Sequence, residues 1–204
     1  MPQWGSPGKR KFPQTHVPRA GEITNEDRFR SETEAHGVGR LSLTQIDLDE
    51  LIRVMIDLYE PCMSEKGLRV NLRSSGPVTV LADAALLHRV ISNLLDNELN
   101  HLPASCTVSI KLGASEDVAT LIVEDDGPRF ASEIGLHMFE QRVKGRDSKG
   151  HGLGLAFVKA VVRAHGGSVT ASNRPEGGAL LSIFWPRETG EKIEAPHSLT
   201  LVNR

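Results

Sequence analysis

The sequence predicts an α/β (α+β) sandwich of two layers, in which a mixed β-sheet is covered on one face by about three helices. Three observations predict it. Short runs with period-two alternation recur in pairs, two long segments carry a helical apolar stripe, and a glycine-rich turn, Gly150-His151-Gly152-Leu153-Gly154, leads straight into a third apolar stripe.

The elements follow in order. Order begins near Leu43. Asp47 or Asp49 precedes Leu51, Ile52, Met55, Ile56 and Tyr59, a helical period that ends around Gly67. Leu68 to Leu72 and Val78 to Leu81 then read as two short strands around Ser74-Ser75-Gly76-Pro77. A second helix runs from Asp83 to about His101, burying Leu86, Leu87, Val90, Ile91, Leu94 and Leu95. Thr107 to Leu112 and Val118 to Val123 form a strand pair joined through Gly113-Ala114-Ser115-Glu116. The glycine-led helix turns Phe157, Val158, Val161 and Val162 inward, and Ser168 to Ala171 and Leu180 to Trp185 finish as strands around Pro175-Glu176-Gly177-Gly178.

Of the 204 residues, 39% are apolar, which suits one globular domain with loose ends. The expected division is a disordered arm over 1–40, a folded domain over 41–187 and a loose tail over 188–204. The arm carries Lys9, Arg10, Lys11 and Arg19 ahead of its first acid, Glu22, with no apolar period to offset the cost of ordering. A net charge of −2 argues against nucleic acid as a partner. No apolar run reaches the ~18 residues of a membrane span, so no membrane contact is expected of this chain. Cys62 and Cys106 lack metal-ligand spacing and read as reduced thiols of a cytoplasmic protein.

Two polar features on these elements carry chemistry. Asn93 and Asn97 are one turn apart at the edge of the second helix's stripe. They are boundary residues or, lining a cleft, oxygen donors to a hard cation such as Mg²⁺. Val123-Glu124-Asp125-Asp126-Gly127-Pro128 ends a strand with carboxylates and a turn. That is a plain Asp-Gly-Pro turn or an acceptor for an exocyclic amine. The alternate glycines leave backbone amides free to approach a polyphosphate at a helix N-terminus.

The series Asn93-Leu94-Leu95-Asp96-Asn97, Asp125-Asp126-Gly127, Phe139-Glu140 and Gly150-His151-Gly152-Leu153-Gly154-Leu155, closing on Ala164-His165-Gly166-Gly167, resembles in order and spacing the N, G1, F and G2 boxes of the ATP-binding domain of sensor histidine kinases. The likeness covers roughly Ile46 to Pro186. It implies the Bergerat fold shared with heat-shock chaperones, mismatch-repair ATPases and type II topoisomerases. It further implies that Asn97 holds Mg²⁺, that Asp125 reads the adenine amine, and that Gly127 lets the base approach. By the same likeness Gly150, Gly152 and Gly154, with Leu153 and Leu155, cradle the phosphates of ATP. His101 stands where an aromatic often lies near the nucleotide, and residues 131–149 become a mobile lid with Lys144 as a phosphate contact. In hydrolysing relatives Asn93 is a Glu that activates water. An Asn cannot take that proton, which implies transfer of the γ-phosphoryl group rather than hydrolysis.

The implied reaction is phosphorylation of a His on another segment or chain, since none of the eight histidines stands in the family's acceptor motif. A phosphoacceptor helix, a response regulator and a dimeric partner are the expected associates. Three residues depart from the family pattern. Arg129 takes a glycine position, where positive φ costs about 1–2 kcal/mol and a long side chain crowds the pocket. Asn100 replaces a Lys, and Glu98 replaces a small Ala inside the apolar stripe. These keep open a degenerate ATP-binding or interaction module, and a serine kinase of the anti-sigma type shares the fold.

Overall fold

The computed structural model describes residue 38, residues 40–130, residue 139 and residues 154–187. Lys144, Gly150, His151, Gly152, Leu153, the segment expected as a lid apart from residue 139, and both expected loose ends up to residue 37 and from residue 188 lie outside the described residues. The elements run β1 (Leu43–Asp47), α1 (Leu48–Glu65), β2 (Arg69–Ser74), β3 (Thr79–Asp83), α2 (Ala84–His101), β4 (Thr107–Ala114), β5 (Val118–Asp125), α3 (Gly154–Ala164), β6 (Ser168–Asn173) and β7 (Ala179–Pro186).

Five strands form the main sheet in the order β2-β4-β5-β7-β6, with β2 parallel to β4 and the other pairs antiparallel. This is the mixed sheet expected from the alternation. Its inner face carries Val108, Ile110, Leu112, Ala119, Leu121, Val123, Leu181, Ile183 and Trp185, all buried against the helices. The opposite face alternates to polar residues such as Asn71, Ser109 and Glu124, so the sandwich has two layers.

Two details differ from the sequence reading. Leu43–Asp47 is a strand, and β3 pairs with it in a separate antiparallel ribbon rather than with β2. β1 is exposed along most of its length and so has no apolar alternation to announce it.

Each helix is fixed by cap and stripe. Asp47 accepts from the Asp49 amide at the start of α1, and Asp83 from the Leu86 amide at the start of α2. α3 buries Phe157, Val158, Val161 and Val162, as its spacing predicts. Burying such side chains contributes about 1.5–3 kcal/mol each. Arg89 lies over the Phe157 ring, 3.9 Å from its centroid, and so ties α2 to α3. Tyr59 donates to Asp96, joining α1 to α2, and burial with that carboxylate pushes the phenol up to about 12. His165, one residue past α3, engages both ring nitrogens. Nε2 accepts from the Asp83 amide at 3.0 Å, so Nδ1 carries the proton toward the Val161 carbonyl.

Candidate nucleotide site

The sequence spreads its candidate residues over most of the domain, and the packing of α2 against β5 and α3 gathers a subset of them. α2 is the spine. From Asn93 to Leu102 it climbs about 14 Å at 1.5 Å per residue.

At one end lies the start of α3. Asn93 donates Nδ2 to the Arg89 carbonyl at 2.6 Å, and its Oδ1 faces the start of α3. A Cβ built on Gly154 would stand 2.9 Å from that oxygen, so the first residue of α3 approaches Asn93 as closely as a bare glycine allows. Asn97, half-buried, follows one turn further along. Leu155 packs against the core, while His101, on the last turn of α2, is exposed.

At the other end lies the tip of β5. Asp125 is only 4% exposed, and both carboxylate oxygens are engaged. Oδ1 accepts from the Gly127 amide at 2.7 Å and Oδ2 from the Ala179 amide at 3.2 Å. Burial pushes its carboxyl above the usual range, while those two amides pull the other way. Gly127 abuts the end of α2, since a Cβ there would fall 2.5 Å from Leu102 Cδ2 and 3.1 Å from Asp125 Oδ1. The corner has no room for a side chain at this position.

Glu98 shares the corner. It is half-buried, and burial first, then the charge of Asp125, pushes its carboxyl up to about 8. Burial and the neighbouring carboxylate thus favour the uncharged acid at this position in the apolar stripe. Cys106, buried beside Gly127, has its thiol pushed up by the same burial and by Asp126.

Arg129 requires a correction. It is not among the residues with positive φ. Its exposed side chain turns to the Pro175 carbonyl, with Nη2 donating at 2.6 Å, so it neither strains the backbone nor turns into the Asp125–Gly127 corner. Asn100 is exposed.

Gly178, Ala179, Arg174 and Leu102 escaped the sequence reading. The Gly177-Gly178 pair read as turn chemistry alone, yet Gly178 has φ +84° and a Cβ on it would fall 2.0 Å from the Asp125 carbonyl oxygen. That second glycine was the signal. A separate open cleft of about 590 Å³ lies on the polar face of the sheet, lined among others by Arg73, Ser109 and Asp126. It does not include Asn93, Asn97 or Asp125. Among the described residues no group of His, Cys, Asp and Glu forms a metal cluster, and no helix is long and apolar enough to cross a membrane.

Residues 82–189, just over half of the chain, match the family described as histidine kinase-, DNA gyrase B- and HSP90-like ATPases. The chain belongs to this family. Its relatives include the sensor proteins KdpD and RstB of Escherichia coli, 32% and 35% identical over 74% and 72% of the chain. The chain spans 17% and 34% of their lengths, so it corresponds to a minor part of each. The catalytic domain of the histidine kinase ThkA superposes over 72% of this chain and 96% of its own, with a TM-score of 0.66 at 22% identity, a likeness of fold. ThkA has also been solved in complex with the response regulator TrrA. This histidine-kinase relationship marks residues 82–189 as the ATP-binding catalytic type of domain in two-component sensors.

Proposed function

We propose that this domain binds Mg²⁺-ATP along α2 and delivers the γ-phosphoryl group to a histidine on another segment or chain. The observation that carries it is the approach of Gly154 to Asn93 on α2 and of Gly127, bonded to Asp125, to Leu102 at the end of the same helix, with Asn97 between them. The reading treats residues 41–187 as the catalytic unit.

The adenine end is read from its polarity. Leu102 packs against Gly127 too closely to admit even a Cβ, so the two form an apolar wall beside Asp125. Asp125 Oδ2, with one amide at 3.2 Å, keeps a lone pair for the purine amine. At the other end Asn93 Oδ1, Asn97 and the first turn of α3 meet the phosphates, joined by His101, Leu155 and, outside the described residues, Lys144, Gly150, Gly152 and Leu153. Asn97 is the Mg²⁺ ligand in this reading. The ion supplies charge neutralisation across the phosphate oxygens. In the transfer step an imidazole nitrogen of the acceptor attacks the γ-phosphorus, the bond to the bridging oxygen breaks, and ADP leaves with that electron pair. Asn93 carries no base, so water is not activated. The phosphoacceptor helix, a dimeric partner and a response regulator, the partner named for ThkA, complete a cytoplasmic phosphorelay.

The test is thermal unfolding with and without nucleotide. At a concentration about 100 times the dissociation constant, Mg²⁺-ATP adds ~2.7 kcal/mol of stability and raises Tm. No shift at millimolar Mg²⁺-ATP overturns the reading. It would favour a non-catalytic module, for which Glu98 beside Asp125 is the specific observation.

A further inference from the structure

The tip of β5 is held by more than its ladder. The last β5–β7 pair is Glu124 with Leu180, yet the contacts continue beyond it. Ala179 donates its amide to the Asp125 carboxylate at 3.2 Å, and the Arg174 guanidinium donates Nη1 to the Asp125 carbonyl at 2.6 Å. Arg129 reaches the Pro175 carbonyl at 2.6 Å. Asn173 pairs with Phe130 in both directions: Oδ1 accepts from the Phe130 amide at 2.8 Å, and Nδ2 donates to the Phe130 carbonyl at 3.0 Å. Five hydrogen bonds thus join residues 173–179 to residues 125–130.

The turn that makes these bonds is closed on itself. The Arg174 amide donates to the Gly178 carbonyl and the Gly177 amide to the Arg174 carbonyl. These bonds hold the backbone of the turn in place beside Asp125. Gly178, without a Cβ, lets the turn lie directly on the Asp125 carbonyl. None of these side chains reaches Asn93 or Gly154.

We propose that the β6–β7 turn is a clasp, with Asn173 and Arg174 as positioning residues that set the Asp125–Phe130 backbone for adenine recognition. The proposal rests on the assignment of Asp125 to the adenine. A carbonyl partner and an Asn bridging both polar groups of one residue act as an extra rung on the sheet, so the base-reading carboxylate is preorganised before ligand arrives. The phosphate end gains nothing from the clasp.

Calorimetry on the full chain separates the two ends, with Mg²⁺-ATP and inorganic tripolyphosphate as probes. Asn173→Ala and Arg174→Ala each weaken ATP about tenfold, leave tripolyphosphate unchanged, and leave the nucleotide-free Tm close to that of the unaltered chain. Arg174→Lys, which keeps one donor, recovers most of the loss. Equal losses for both probes, or no loss with ATP, overturn the clasp. Amide exchange supplies a readout independent of nucleotide and uses the milder Asn173→Asp, which keeps the acceptor and loses the donor to Phe130. Faster exchange of the Phe130 and Gly127 amides supports the clasp, and unchanged exchange overturns it. Failure of the unaltered chain to bind ATP removes the adenine assignment and with it the purpose of the clasp, whereas unchanged exchange removes the clasp alone.

Discussion

The two ends of the Asn93–Leu102 stretch of α2 are built differently. Around Asp125 almost every polar atom meets a backbone group, and fit is set by absent side chains at Gly127 and Gly178. Around Asn93 and Asn97 the polar atoms are half-exposed side chains, and the described contacts are one bond from Asn93 to its own helix and the approach of Gly154. The first end is preformed, which in the proposed function would lower the ordering cost of a rigid, planar group. The second offers loosely held oxygen donors, which suits a ligand whose metal and phosphates bring their own geometry.

The largest expected effect probes the preformed end. Gly178→Ala places a methyl against the Asp125 carbonyl at a positive φ. It should cost about 3 kcal/mol, lower Tm by roughly 10 °C, and abolish ATP binding. An unchanged Tm would show that the tip of β5 yields easily, and the contrast between the ends would collapse.

Asp125→Ala comes next. Loss of a charge-assisted hydrogen bond is worth about 2 kcal/mol, so Mg²⁺-ATP affinity should fall on the order of thirtyfold, with preference over GTP lost and the fold retained. Competition binding with the two nucleotides measures this, and intact selectivity would remove Asp125 from its assigned role.

Glu98 sharpens the contrast through pH. Its folded-state pKa of about 8 lies above the ordinary 4.5, so the folded chain holds the proton more tightly than the unfolded one. Stability from this group is fully present below about 4.5 and declines as pH rises toward about 8. Glu98→Gln should therefore flatten the denaturation midpoint across that window and stabilise the chain at pH 8 by about 2 kcal/mol, allowing for partial contact with water. An unaltered slope would mean that the carboxyl is solvated.

The smallest effect belongs to the open end. Asn97→Ala should weaken Mg²⁺-ATP by about 1 kcal/mol, roughly fivefold, and make nucleotide affinity nearly indifferent to Mg²⁺. Persisting Mg²⁺ dependence in a titration with and without the ion would place the ligand elsewhere.

Much of this was legible in the amino-acid order. The stripes of α2 and α3, the Asp83 cap and the β4–β5 hairpin each follow from a local period or a local hydrogen bond. What stayed hidden depends on partners far apart in sequence. β1 has no alternation because it is mostly exposed, and β3 could not be assigned to it across the 18 residues of α1. Arg129 reads as an intrusion until the Pro175 carbonyl, 46 residues away, is seen to receive it. Asn173 and Arg174 look like ordinary turn residues for the same reason. Glu98 was legible as an anomaly, but its raised pKa follows from an enclosure that only the packed chain provides.

The β1–β3 ribbon gives the front of the domain a line of traction. The Ser42 amide is bonded to Asp83 Oδ2 at 2.9 Å, and the other oxygen of that carboxylate caps α2. The Asp83 amide, in turn, leans on His165 beyond the end of α3. A pull on the backbone at Ser42 therefore reaches α2 through the Asp83 carboxylate and α3 through the Asp83 amide, so the two helices are tethered at one residue.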